Sequence, residues 1–431
     1  MFSVFRNAWK IADLRKKLLY TLLIIVLFRI GAAFTVPFLD ASVVGSMISS
    51  SGSLLGFIDV LTGGSFSRAT VFALSISPYI TASIVIQLLT IAIPALERLS
   101  KEGEEGRKKL NSITRYSTIG LALIQAIAYY LILKRSGAVS YTIGFEGFLA
   151  GATIVLTFTA GAMLVMWLGE RIDEKGIGNG ISIILFAGIV SRGPSAVINL
   201  FRYFVAGLNG TPKYIVFVPI VVIIFLVMIT AIVIMTNAER RIPVQYAKRV
   251  VGRKMYGGQS SHIPVKVTMS GVMPIIFASS IISIPGTIGD FLSLKEGTFW
   301  FKFFALFKYT SWFYAVLYFI LIIAFNYFYV AIQYNPMEMA NNLQKNNGTI
   351  PGIRPGKATA QFISKVISKI TLIGALFLAV IAILPIGIGA VAGMNIALGG
   401  TSIIIVVGVA LDTTRELESQ MMMRHYKGFL E

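Results

Sequence analysis

Stretches of about twenty consecutive apolar residues recur along this chain, separated by shorter segments that carry nearly all of its charge. A helix of that length rises ~30 Å, the thickness of a bilayer's hydrocarbon core. Windows of this kind fall at 18–36, 70–93, 112–133, 148–168, 178–198, 214–236, 269–289, 312–333, 367–386 and 394–411. With 56% apolar and only 13% charged residues, the chain lies far from the ~25% charge of a soluble domain. The ten windows therefore read as membrane spans. The first follows a basic start (Arg6, Lys10, Arg15, Lys16, Lys17), as a cleaved secretory signal would. It is too long for a signal's apolar core, carries Arg29 and precedes many comparable segments, so it reads as a retained first helix.

Charge separates the two ends of such a bundle. If ten spans alternate, the N-terminus, the loops after the second, fourth, sixth and eighth helices, and the C-terminal tail share one side. With Arg115, Arg192 and Lys369, which fall toward window ends, counted with the adjoining loops, that side holds 28 of the 38 Lys and Arg, the opposite loops hold nine, and Arg29 lies within a span. The positive-inside rule then puts both termini in the cytoplasm. Two of the basic loops are long. Residues 236–268 carry Arg240, Arg241, Lys248, Arg249, Arg253, Lys254 and Lys266 against Glu239, and residues 334–363 carry Lys345, Arg354 and Lys357 against Glu338. Attraction to anionic lipid, ~1 kcal/mol per basic residue, accounts for part of this. Loops of this length with regular motifs exceed what orientation needs, and point to docking surfaces for a large partner. An RNA-rich ribosome surface would meet them through its phosphates.

The two halves of the chain echo one another. SPYITASIVI from Ser77 and MPIIFASSII from Met273 align on proline and share Pro78/Pro274, Ile80/Ile276, Ala82/Ala278, Ser83/Ser279 and Ile86/Ile282. Each begins the second substantial span of a five-helix half, so the two run in opposite directions, as in an inverted repeat whose functional site lies between the halves. Each places a Pro inside its apolar window, beside small residues that allow close helix approach. Between the first two spans, residues 54–66 (LLGFIDVLTGGSF) are too short to cross and read as a re-entrant or interfacial half-helix.

Several function classes lack their chemistry. Ion-coupled transporters place ionisable residues within their spans, and here only Arg29 is deep, with Glu170 at a helix end. Gln87, Gln125, Asn179, Asn326 and Gln333 read as interhelical hydrogen bonders. An inverted repeat alone still permits a secondary transporter of a small solute, but that would need a polar midplane. No Cys and two His exclude a disulfide framework and a Cys/His metal centre. The run Gly352–Thr359 (GIRPGKAT) misses the phosphate-loop template in its glycine spacing and in Ala358 after the lysine. No catalytic residues and no cofactor are expected, so movement of a substrate is passive or driven by a separate motor.

The chain resembles the bacterial SecY family over essentially its whole length. The resemblance rests on FRIGAAFTVPFLD from Phe28, SPYITASIVIQLL from Ser77, LSKEGEEGRKKLN from Leu99 and GERIDEKGIGNGISI from Gly169. It continues in NAERRIPVQYAKR from Asn237, MYGGQSSHIPVK from Met255, GVMPIIFASSII from Gly271, NPMEMANNLQKNNGTIPGIRPG from Asn335 and GGTSIIIVV from Gly399. It implies an all-α polytopic fold of ten transmembrane helices in two inverted five-helix halves, 1–198 and 199–411, with a cytoplasmic tail at 412–431. It further implies a channel for unfolded secretory polypeptides in the bacterial plasma membrane. In that fold the 54–66 piece is a plug, carried by Leu55, Gly56, Phe57, Ile58, Val60, Leu61, Gly63 and Gly64, whose glycines suit a movable element. A pore ring falls on Ile80, Ile84, Ile181, Leu185, Ile276 and Ile405. The repeated helices form a lateral gate through Ser83, Val85, Ile86, Gln87, Ser280, Ile281, Ser283 and Ile284. Arg354, then Arg240, Arg241, Lys248, Arg249, Arg253 and Lys254, would contact a SecA motor or a ribosome. Small SecE and SecG membrane subunits, signal sequences and anionic lipid complete the implied partners.

Overall fold

The computed structural model describes residues 2–50, 59, 62–141, 143–246, 249–251, 254–256, 260–292, 298–307, 311–392 and 399–427. A surface helix, α1 (Phe2–Lys10), leads into α2 (Ala12–Gly31) and α3 (Ala41–Ser50). Then come α4 (Ser77–Ala92), α5 (Pro94–Lys101), α6 (Glu104–Arg135), α7 (Gly144–Lys175), α8 (Gly180–Ser191), α9 (Gly193–Leu208) and α10 (Lys213–Asn237). The second half comprises α11 (Met273–Leu292), α12 (Phe299–Ala305), α13 (Trp312–Gln333), α14 (Pro336–Lys345), α15 (Lys357–Ala392) and α16 (Gly400–Lys427). Each of the ten expected windows falls on a helix. In lipid only a helix satisfies the backbone within its own segment, and the apolar runs supply the outer surface: Ile220, Ile223, Leu226 and Val227 of α10 are all exposed.

The ends of these helices have local causes. The first stops at Gly31, short of the expected Val36, because Thr35 bridges to Thr70 and Leu39 to Val139. The second starts at Ser77, later than expected, since residues 62–76 run in turns, with Ala69 and Ser75 both at φ 47. The fifth window is broken at Arg192, where Pro194 opens α9 at a position that needs no N–H. Pro94 ends α4 for the complementary reason, and α5 leaves it at 102°. The tenth begins at Gly400 and runs to Lys427, so the expected tail is largely its continuation. Asn179 caps α8 by accepting from the Ser182 N–H at 3.0 Å, a local duty in place of the interhelical bond expected of it. Asn326 does bond between elements, accepting from Ser270 Oγ at 2.9 Å.

Two apolar cores and a shared one organise the bundle. Tyr129, Leu133, Ile154 and Phe158 anchor a cluster drawn from residues 36–162, while Met228, Tyr318, Ile322 and Leu378 anchor one from residues 228–404. A third cluster lies between them and takes residues from both halves.

An all-helical expectation missed a small sheet. Strands β1 (Glu239–Tyr246) and β4 (Ser260–Lys266) pair antiparallel, Ile242 opposite Ile263. Strands β2 (Arg249–Val251) and β3 (Lys254–Tyr256) extend that arm as a ribbon. Strand β5 (Gly348–Thr349), from the other long basic loop, pairs with Gln245 and Tyr246 on the free edge of β1. Alternation explains it: in ERRIPVQY, Ile242 and Val244 are buried and their neighbours exposed, the period of a strand. Basic charge had hidden that alternation. The two loops are therefore one body, with an apolar core of Ile242, Val244, Val265, Leu343, Ile350 and Ile363.

Candidate functional site

The central cluster holds five of the six residues of the expected ring. Leu185 from α8, Ile276 from α11 and Ile405 from α16 are buried in it, and Ile80 of α4 and Ile181 of α8 pack half-buried against it. Ile84, one turn along α4 from Ile80, is also buried but lies outside that cluster. Four helices thus converge on one apolar waist. A cavity of about 720 Å³ opens on one side of it, lined among others by Lys17, Asp173, Lys266, Tyr334, Asp412 and Gln420, with Ile276 in its wall. These lining residues gather the start of α2, the end of α7, the β-arm, the end of α13 and the late turns of α16 at one end of the molecule. Lys17 Nζ donates to Gln420 Oε1 at 3.1 Å across that end. The alternation read from charge requires this shared side. On the other side of the waist lies a cavity of about 50 Å³, lined by Thr62, Ser75, Ile80, Leu185, Ile276 and Ile405 among others. Ile276 borders both spaces.

The repeated helices α4 and α11 pack against one another. Pro78 and Pro274 each occupy the second helical residue. The expectation that these two prolines lie inside their spans is thus corrected: both mark helix starts, where the missing N–H leaves nothing unpaired, while α11 carries a different proline, Pro285, in its interior. Of the gate residues, Ile86 is buried, Ser83, Ser280, Ile281 and Ser283 are half-buried, and Val85, Gln87 and Ile284 are exposed. Ser279 Oγ donates to the Ile276 carbonyl at 2.9 Å, and Ser283 Oγ to that of Ser280 at 2.7 Å. Each of these two bonds lies within the residue's own helix.

Of the expected plug, Leu55, Gly56, Phe57, Ile58, Val60 and Leu61 lie outside the described residues. Gly63 and Gly64 are described, in turns with φ +68 and +85. A Cβ on Gly63 would sit 2.7 Å from the Gly188 carbonyl oxygen, and one on Gly64 3.0 Å from Arg192 Nε. Close approach and left-handed backbone both demand glycine here, a tighter reason than mobility. Asp59, buried, pairs with Arg192, and its Oδ1 accepts from the Ser67 N–H at 2.7 Å. Arg192 escaped the sequence reading because a continuous 178–198 span left no reason to look for a charge at a helix break.

On the β-arm, Arg240 and Arg241 are exposed, and Arg241 Nε pairs with Glu239 at 2.8 Å. Arg249 and Lys254 lie on β2 and β3; Lys248 and Arg253 lie outside the described residues. Arg354 is exposed on the turn between β5 and α15, flanked by Gly352 (φ +80) and Gly356 (φ +92). Thr359 Oγ1 donates to the Arg354 carbonyl at 2.8 Å, which fixes the turn beneath the side chain.

The SecY family's sequence model matches residues 70–414. A protein translocase subunit SecY of Thermotoga maritima is 41% identical over 440 residues, covering all of this chain and 98% of the relative. One from Streptomyces griseus is 44% identical over 454 residues, covering both chains entirely. A solved protein conducting channel superposes with a TM-score of 0.65 at 20% identity, covering 94% of this chain and 92% of that one. Sec61 in a canine ribosome–channel complex gives a TM-score of 0.61 at 20% identity, with the same coverage. At that identity the solved structures share the fold, and the relatives at over 40% identity carry the assignment further: this chain belongs to the SecY family.

Proposed function

We propose that this chain is the pore subunit of a translocon, passing unfolded polypeptides across a bacterial plasma membrane and releasing apolar segments sideways into lipid. The observation that carries the reading is the apolar waist between a wide charged-lined cavity and a small one. An apolar constriction sheds water and so blocks ions. Its side chains hold no fixed hydrogen bonds, and it can widen around an extended chain of any sequence. The seam between α4 and α11 joins one half to the other, and parting it would connect the waist to lipid, with residues 54–66 as the plug. The wide cavity and both termini face the cytoplasm.

The partners follow from the surface. The paired basic loops form a firm platform with its own core, suited to a ribosome or to a SecA motor that supplies the driving energy. A nearly wholly apolar groove of about 430 Å³, lined by Val190, Ala196, Leu200, Val222, Leu226 and Val406, suits the single span of a SecE-type subunit.

Reconstitution tests the function. Vesicles holding this chain with its single-span partner should protect a signal-bearing unfolded polypeptide from protease once SecA and ATP are added. Vesicles lacking the chain set the background, and equal protection in both would end the reading. Arg354→Glu reverses the charge at the platform's tip while leaving every span intact. We expect normal insertion and co-purification of the small subunit, with SecA-driven translocation down about tenfold or more. Normal translocation would reduce Arg354 to a charge that only sets orientation.

A further inference from the structure

Three charged side chains meet where the plug segment touches the break between α8 and α9. Arg192 lies at the break that ends α8, and Arg29 in the last turn of α2, each within an otherwise apolar stretch. Charges in such stretches are costly and persist where they are paired or functional. Arg192 pairs with Asp59, whose side chain is only 7% exposed. The carboxylate also accepts from the Ser67 N–H, and the Asp59 carbonyl accepts from the Gly64 N–H at 2.8 Å and from Thr62 Oγ1 at 3.2 Å. Gly64 lets the guanidinium lie against its backbone. Arg192 Nη2 reaches Ser67 Oγ at 3.4 Å. Arg29 stands close by: a Cβ on Gly63 would be 2.9 Å from its Nη1. That nitrogen is buried and has no hydrogen-bond partner among the described residues.

The carboxylate pairs with Arg192, and of the three charged groups it alone belongs to the plug segment. We propose that Asp59 is the latch of the plug: its pairing with Arg192, beside Arg29, holds Asp59 and residues 62–67 in the closed position and sets how readily the channel opens. When the segment leaves, Arg192 loses its counter-charge and is left beside Arg29. Removing one partner of a buried pair is strongly unfavourable, because the other charge stays buried. Plug departure thus carries an electrostatic threshold that a weak signal fails to overcome and a strong one meets.

The inference rests on reading this segment as the plug, and the test separates the two. Ion leak is measured across vesicles holding the chain with its single-span partner and no substrate, at matched protein content. Deleting residues 54–66 should raise the leak; a deletion as tight as the parent overturns the plug reading. Asp59→Asn should raise it about tenfold or more, and Arg192→Asp should do likewise. Combining Asp59→Arg with Arg192→Asp restores the pair in reverse and should bring the leak back toward the parent value. If the deletion leaks while Asp59→Asn stays tight, the plug stands and the latch is wrong. If both single variants leak and the reversed pair leaks equally, these side chains matter for packing and the pairing does not set the threshold.

Discussion

Oxidising a cysteine pair that joins α4 to α11 is expected to drop translocation to the level of vesicles lacking the chain, and reduction to restore it. The chain has no cysteine of its own, so an introduced pair reacts with nothing else in it. One cysteine replaces Ser83, Val85, Ile86 or Gln87 and the other Ser280, Ile281, Ser283 or Ile284. The helices pack together, and a disulfide needs Cα atoms within ~7 Å, so some pair across the seam should close. Lateral release of a signal helix should fail with translocation, since both need the halves to part. A long flexible bridging reagent on the same pair should leave transport running. Tight cross-linking with unchanged transport would show that the helices touch without gating.

Ile276→Asn and Ile405→Asn should each leave the waist wet. Both residues are buried in the shared cluster, and a buried side chain of this size contributes ~1.5–3 kcal/mol. Losing that from the closed state shifts the closed–open balance by about tenfold to a hundredfold. Export of a reporter with a defective signal should rise, together with ion leak. Ile276→Leu keeps the apolar volume and should leave both near the parent values. No rise in either readout at normal protein levels would remove these residues from the seal.

How much of this was legible in the sequence depended on whether a feature was local. Apolar runs of bilayer length placed a helix at each of ten positions because hydropathy is a property of consecutive residues. The ring was different. Ile80, Ile181 and the many other isoleucines of these spans look alike in sequence, and only family resemblance singled out those that four helices bring to one point. Breaks were the weakest part. Gly193–Pro194 marks a break within the 178–198 window, but nothing local announced that it would set Arg192 against Asp59, far away along the chain. The sheet was missed for a related cause: β5 is two residues long and exists through its pairing with β1, which no local pattern records.

That pairing has a mechanical consequence. The core under the sheet includes Val330 of α13, Leu343 of α14 and Ile363, Ile367 and Ile370 of α15, all on the second-half side of the seam. The arm is thus a stiff handle bolted to one half of the bundle. A push on its tip cannot dissipate in two slack loops; it arrives as torque on α13 and α15, turning their half about the line where α4 meets α11. A bound ribosome or motor would work the channel as a wrench works a hinge, with the length of the β-arm setting its leverage.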